Sequence, residues 1–291
     1  RRLWYLGQQR LMQTKRIFWK KIMLNKVITV CTRKDAITFE IAAPYITKYI
    51  PAKSYVMLVP EADLNYFSAL KLENFDIISE EKYRNISALL LEKNLGTRFG
   101  WYFQQFIKMA ELDDGDLNDI NVIWDADTIP LRKIQFEDEG KLCFFQGTEH
   151  HIPYFKLIKS LLDVDKLVAT SFIAQCLPFR VSWFREFKEE VENRGDGCWF
   201  EEIIKLIDNK ESSGFSEYET LGTYAAKNYK TEILINNHTD NWYRFGSSLI
   251  GSPKNIPKYH NKLSKKYNFL SFESWDKTNN SFIKRFFKLN F

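Results

Sequence analysis

The chain has 291 residues, 45% apolar and 16% aromatic, with 42 Lys/Arg against 37 Asp/Glu and a net charge of +5. That length supports a substantial globular core, and no run approaches 18 uncharged apolar residues, which excludes a helix crossing a membrane. Four cysteines, Cys31, Cys143, Cys176 and Cys198, stand singly without a CxxC pair, which argues against a zinc site or a disulfide framework and fits a reducing compartment.

In chain order, residues 1–25 come first as a basic amphipathic segment, and 1–21 carry seven Lys/Arg and no acid. From Lys26, β-branched runs alternate with helical spacing. "KVITVCT" predicts a strand and "DAITFEIAAPYITKYI" a helix. "SYVMLVP" and "NFDIISE" are further strands, separated by the helix-like "EADLNYFSALK". "NISALLLEKNLGTRFGWYFQQFIKMAEL" has the period of one or two helices broken near Gly96, "DINVIWDAD" is a fourth strand and "KLCFFQG" a fifth. Strands and helices alternating in this way predict an α/β fold with a mainly parallel, Rossmann-like sheet flanked by helices. After residue 150 the pattern turns helical, as in "VSWFREFKEEVENR" and "CWFEEIIKLIDNK". The expected organisation is one unit over 26–252, with halves 26–150 and 151–252, followed by a basic aromatic extension over 253–291. Residues 254–291 hold nine Lys/Arg against two acids, which leaves 26 basic against 35 acidic residues in the body. An acidic body with basic ends is not the footprint of a nucleic-acid groove. The ends read as segments lying on an anionic membrane surface, where each Lys/Arg contributes about 1 kcal/mol. No signal-peptide pattern is visible, so the expected location is cytoplasmic, peripheral to the inner face of the cell membrane.

The stretch "NVIWDADTIP" carries the clearest chemistry. Asp125 and Asp127 close an apolar run at the end of the fourth strand. Ligands of open α/β sheets sit at the carboxyl ends of strands, and the i, i+2 spacing puts both carboxylates on one side of an extended chain. Two close like charges persist best beside a cation. Hard oxygen ligands of this kind suit Mg²⁺ or Mn²⁺, with substrate phosphates completing the shell.

An α/β half ending in a strand with D-x-D resembles the GT-A class of nucleotide-sugar glycosyltransferases. "GWYFQQFIKM" (100–109), "WDADTIPLRKIQF" (124–136) and "FSEYETLGTY" (215–224), in this order, are similar to a family of bacterial glycosyltransferases linked to capsule and lipopolysaccharide assembly. The resemblance implies that Asp125 and Asp127 hold Mn²⁺ or Mg²⁺ against the diphosphate of a nucleotide-sugar donor, a UDP-sugar foremost. It implies a glycan or lipid-linked acceptor and a donor site lined by the 100–109 helix, with Trp101, Gln104, Gln105 and Lys108 as contacts. By the same resemblance the loop after the first strand offers Thr32 and Arg33 to the nucleotide, and His238 is the candidate third metal ligand. Arg244, whose planar fork suits phosphate oxygens, is a further candidate for the diphosphate.

Ser216 and Glu219 have the spacing of a helix-capping box. Glu217 is not explained by capping and is expected to point into a cleft, where it could take the proton of the attacking acceptor hydroxyl; Glu219 stands in reserve. An alternative reading of "VIWDADT" is the nucleophile motif of haloacid-dehalogenase-type phosphatases, with Asp125 phosphorylated and "RGDGCWFEE" as a later acidic motif. A non-catalytic carbohydrate-binding module is a third reading, which leaves the acidic pair unused.

Overall fold

A computed structural model of the protein describes residues 23–70, 72–235 and 239–276. The membrane contact expected of the basic ends falls on 1–22 and 277–291, and His238 falls on 236–238; all lie outside the described residues. No helix among the described residues is long and apolar enough to cross a membrane.

Strand β1 (Leu24–Val30) leads into helix α1 (Ala36–Tyr49), β2 (Ala52–Val59), α2 (Leu64–Ala69) and β3 (Phe75–Ser79). Two helices, α3 (Arg84–Glu92) and α4 (Phe99–Glu111), then lead to β4 (Ile120–Trp124). The break between α3 and α4 falls at Asn94 and Gly96, both at positive φ, where glycine and asparagine are least strained. β1, β2, β3 and β4 pair in parallel, with Ile28 opposite both Val56 and Ile123. Every residue of β4 is buried, as expected for a strand covered on both faces.

The fifth strand of this sheet is not "KLCFFQG". It is β8 (Cys176–Arg180), antiparallel to β4 with Trp124 opposite Cys176. β8 contains Pro178 but lies at the edge of the order β3-β2-β1-β4-β8, where a missing N–H is tolerated. The expected fifth strand is β7 (Lys141–Phe144), which joins β6 (Glu137–Asp138) and β9 (Ile233–Ile235) in a separate three-stranded sheet. Because β8 enters the main sheet and β9 pairs with β7, the chain does not divide into two halves at residue 150.

Helices α5 (Ile152–Leu162), α6 (Val181–Glu192), α7 (Trp199–Leu206) and α8 (Glu217–Asn228) cover the later part of the chain. A short α9 (Gly246–Ile250) and α10 (Ile256–Lys266) follow. The expected boundary at 252 is also corrected. β10 (Phe269–Ser271) pairs antiparallel with β5 (Thr128–Pro130), and Phe269 and Leu270 are wholly buried. Residues 253–276 therefore complete the body. The sheet places the site: neighbouring connections leave β1 and β4 in opposite directions, which opens a crevice at their carboxyl ends.

Candidate active site

A cavity of about 390 Å³ occupies that crevice, and Asp125 and Asp127 line it. The apolar run of β4 ends in a turn: the Thr128 N–H donates to the Asp125 carbonyl at 3.0 Å, and the Asp125 N–H donates to the Gln175 carbonyl at 3.0 Å. The Trp124 indole N–H reaches across the turn to the Thr128 carbonyl at 2.8 Å. Ser271 of β10 meets the Thr128 hydroxyl at 2.6 Å. The two carboxylates thus stand on a turn held from three directions.

Their environments differ. Asp125 Oδ1 accepts from Lys108 Nζ at 2.8 Å and from the Tyr218 hydroxyl at 2.7 Å. The Asp127 carboxylate, among the described residues, accepts only from Thr128 Oγ1, at 3.3 Å. Burial first, and then the charges of Glu273, Asp125 and Asp35, push its carboxyl well above the ordinary value of 3.8. Among the described residues no cationic side chain is bonded to Asp127, so negative charge is in surplus there. The donor set is oxygen only, which suits a hard divalent cation that brings further ligands with it. Among the described residues no three His, Cys, Asp or Glu side chains form a ready-made metal cluster.

Lys108 is 2% exposed and lies 2.8 Å from Asp125 and 2.6 Å from Glu217. Burial pulls its pKa down, but the two carboxylates outweigh that and hold the ammonium above its ordinary value. Glu217, expected to stand free, is instead buried at the first turn of α8 and paired with Lys108. Burial and then the Asp125 charge raise its carboxyl above 4.5, against the pull of Lys108. It still lines the cavity.

Glu219 does not. Its Oε2 accepts from Ser171 Oγ at 2.7 Å and from the Phe172 N–H at 3.0 Å. Only half of the expected capping box forms, the Glu219 N–H donating to Ser216 Oγ at 3.3 Å. The carboxylate turns to the 171–172 loop because two donors are buried there.

Of the helix expected to face a donor, Trp101, Gln104, Gln105 and Lys108 all line the cavity. Gln105, however, is 2% exposed, and both ends of its amide are engaged. Nε2 donates to the Trp101 carbonyl and Oε1 accepts from the Glu217 N–H, each at 3.0 Å, so it fixes the start of α8 instead of reaching into the cavity. Arg98 stacks over Trp101 at 4.0 Å. Thr32 and Arg33 are absent from the cavity wall; Arg33 pairs with Asp63 at 2.5 Å and lies over the Tyr66 ring. Their neighbours Lys34 and Asp35 take that place. Arg244 lines the cavity but is bound by Glu149 and, at 2.8 Å, by Glu273.

Sequence reasoning missed Asp35, Tyr218, Glu149 and Glu273. Asp35 was within reach, since it follows β1 at the same sheet edge as Asp125. Glu273 was hidden because its segment reads as a basic tail. The phosphatase motif proposed at "RGDGCWFEE" is a helix cap: Glu201 accepts from the Cys198 N–H at 2.9 Å and Glu202 from the Gly197 N–H at 2.8 Å, at the start of α7. None of it lines the cavity.

No family model matches the sequence, and no curated protein does so either. Solved structures that superpose on it include mouse xyloside xylosyltransferase 1, with a TM-score of 0.49 and 9% identity over 88% of this chain and 99% of that one. The galactosyltransferase LgtC superposes with a TM-score of 0.43 and 12% identity, over 91% of this chain and 94% of that one. Streptococcus pneumoniae GlyE does so with 0.42 and 12%, over 91% of this chain and 60% of that one. At this identity and superposition none of them assigns a role to a residue of this chain.

Proposed function

We propose that the chain is a metal-dependent glycosyltransferase. It would move a sugar from a nucleotide-sugar donor, a UDP-sugar foremost, to a glycan or lipid-linked acceptor of a bacterial surface polysaccharide. The work would be done at the cytoplasmic face of the membrane, through the basic ends. The observation that carries the reading is the turn at Asp125 and Asp127: two carboxylates on one turn, over a polar cavity at the sheet's switch point, with surplus negative charge around Asp127. Lys108 neutralises Asp125, but among the described residues no cationic side chain is bonded to Asp127, which faces the charges of Glu273, Asp125 and Asp35. The phosphatase reading loses its second motif to the cap of α7, and a binding module leaves this charge unexplained.

In this reading Asp125 and Asp127 would hold Mn²⁺ or Mg²⁺, which when bound supplies positive charge to the leaving diphosphate. Lys108 orients Asp125 by a direct bond at 2.8 Å, and the Tyr218 hydroxyl donates to the same oxygen. Glu217 would accept the proton of the acceptor hydroxyl as its oxygen bonds to the anomeric carbon and the sugar–phosphate bond breaks, its electron pair leaving with the diphosphate. A carboxylate held above its ordinary pKa is the stronger base. Lys34 stands at the cavity wall to meet phosphate oxygens, whereas Arg244 is taken up by Glu149 and Glu273.

The test is a thermal-shift screen of nucleotides and nucleotide sugars with and without Mn²⁺, since a ligand at one hundred times its Kd stabilises the folded chain by about 2.7 kcal/mol. The expected result is a Mn²⁺-dependent rise with one nucleotide diphosphate, abolished in Asp125→Asn. No rise with any nucleotide overturns the reading.

A further inference from the structure

Beside the acidic turn, the chain returns from β10 along the cavity mouth as Phe272–Asp276. This strap is tied at both ends. The Phe272 N–H donates to the Asp127 carbonyl at 2.9 Å, and the Asp276 carboxylate accepts from the Ser248 N–H at 2.9 Å and from the Ser248 hydroxyl. Trp275 lies between these ties, lines the cavity and is 52% exposed. Phe245, 41% exposed, meets it edge to face at 5.6 Å. Phe245 is brought there by a backbone bridge to Phe272 and by Gly246, whose missing Cβ would lie 2.6 Å from the Ser271 carbonyl. Two large aromatic side chains are therefore held in solvent on an anchored backbone at the mouth of the site. Exposed aromatic surface bounded by polar groups marks a ligand surface.

The polar groups beside it decide which ligand. Arg244 lies 5.4 Å from the Trp275 ring and is bound by Glu149 and Glu273, so the trio carries one net negative charge. That charge repels a phosphate and favours a neutral ligand with hydroxyl donors. A pyranose ring meets both demands: its C–H face stacks on an aromatic ring, and its hydroxyls donate to carboxylates. We propose that Trp275 and Phe245, with Glu149 and Glu273, form the acceptor-sugar subsite, which stacks the terminal pyranose of the glycan beside Asp127. This rests on the glycosyltransferase reading for the word acceptor; the sugar-binding surface itself stands on the geometry above.

The experiment is saturation-transfer NMR of the whole chain with the methyl glycosides of glucose, galactose, N-acetylglucosamine and rhamnose. It is run on wild type, Trp275→Ala and Trp275→Phe, with the Mn²⁺-UDP thermal shift measured on each variant. The expected result is that at least one glycoside binds wild type, that Trp275→Ala weakens it at least tenfold, and that Trp275→Phe retains most of it. The UDP shift is expected to be the same in all three. Trp275 is half in solvent, so its removal leaves the core intact, and the melting temperature of each variant checks this. Glycoside binding unchanged in Trp275→Ala overturns the proposal, as does the absence of binding to wild type. Loss of the UDP shift with glycoside binding retained also overturns it, and assigns the ring to the donor. If UDP shifts no variant while the glycoside results hold, the glycosyltransferase reading fails and the sugar subsite stands.

Discussion

Lys108 sits between two carboxylates that would otherwise face each other, and its removal is the most informative single change at the site. Breaking a buried ion pair by deleting one partner costs about 3–5 kcal/mol, so Lys108→Met is expected to lower the melting temperature and cut turnover sharply. Any residual activity reports on Glu217. Its carboxyl lies above 4.5 despite the pull of Lys108, so the acidic limb of kcat/KM lies above 4.5 in wild type and moves to still higher pH in the variant. Asp127 makes the opposite prediction for stability. Its carboxyl is raised in the folded state, so the fold binds that proton more tightly than the unfolded chain does. The stability this proton contributes is present in acid and is lost as pH rises through the raised value. Asp127→Asn is therefore expected to melt a few degrees higher than wild type at pH 7, with the gap closing below pH 3.8, while losing the Mn²⁺-dependent shift. Removing charge crowding at a functional site commonly adds about 0.5–2 kcal/mol at the expense of activity. Equal melting temperatures at pH 7 refute the crowding. At this scale the acidic pair was legible because it breaks an apolar run. The role of Glu219 was not, since the hydroxyl it accepts from, Ser171, lies 48 residues away.

The elements themselves divide by length. β1, β2 and β4 have five to eight residues and each holds a stretch of at least three consecutive buried residues; burial on both faces makes such stretches visible in sequence. β9 and β10 have three residues each and β8 contains a proline; their strand character comes from partners far along the chain. Helix α8 shows how tightly the layers meet. Every residue from Glu217 to Ala225 is buried, and a Cβ on Gly222 would lie 2.1 Å from the Phe172 ring. In an isolated helix Gly→Ala gains about 1 kcal/mol. Here Gly222→Ala is expected to destabilise by about 1–3 kcal/mol, as overpacking does, measured by urea denaturation. A stabilised variant would mean that Phe172 can move aside. Because α8 carries Glu217 and Tyr218, the same change should also lower kcat.

Across the whole molecule, the division into a body and two basic tails held least well. Charge composition marked 253–291 as one extension, but Phe269 and Leu270 are core residues and Glu273 lines the cavity. Lysines on α10 supply the charge while its Ile256 and Leu263 are buried, so a basic segment can also be a packed one. A chain ending at residue 252 is expected to lack a cooperative thermal transition. A sharp transition in the shorter chain would show that β10 is dispensable.

The pairing of β10 with β5 also sets when the site can exist. Thr128 and Ser271 are 143 residues apart, and translation adds about 5–20 residues per second. A newly made acidic turn therefore waits roughly 7–30 s before its last support is synthesised. Until then it has no strap beneath it and no aromatic mouth. The acidic turn therefore gains its β10 support only after the 143 residues between Thr128 and Ser271 have been made.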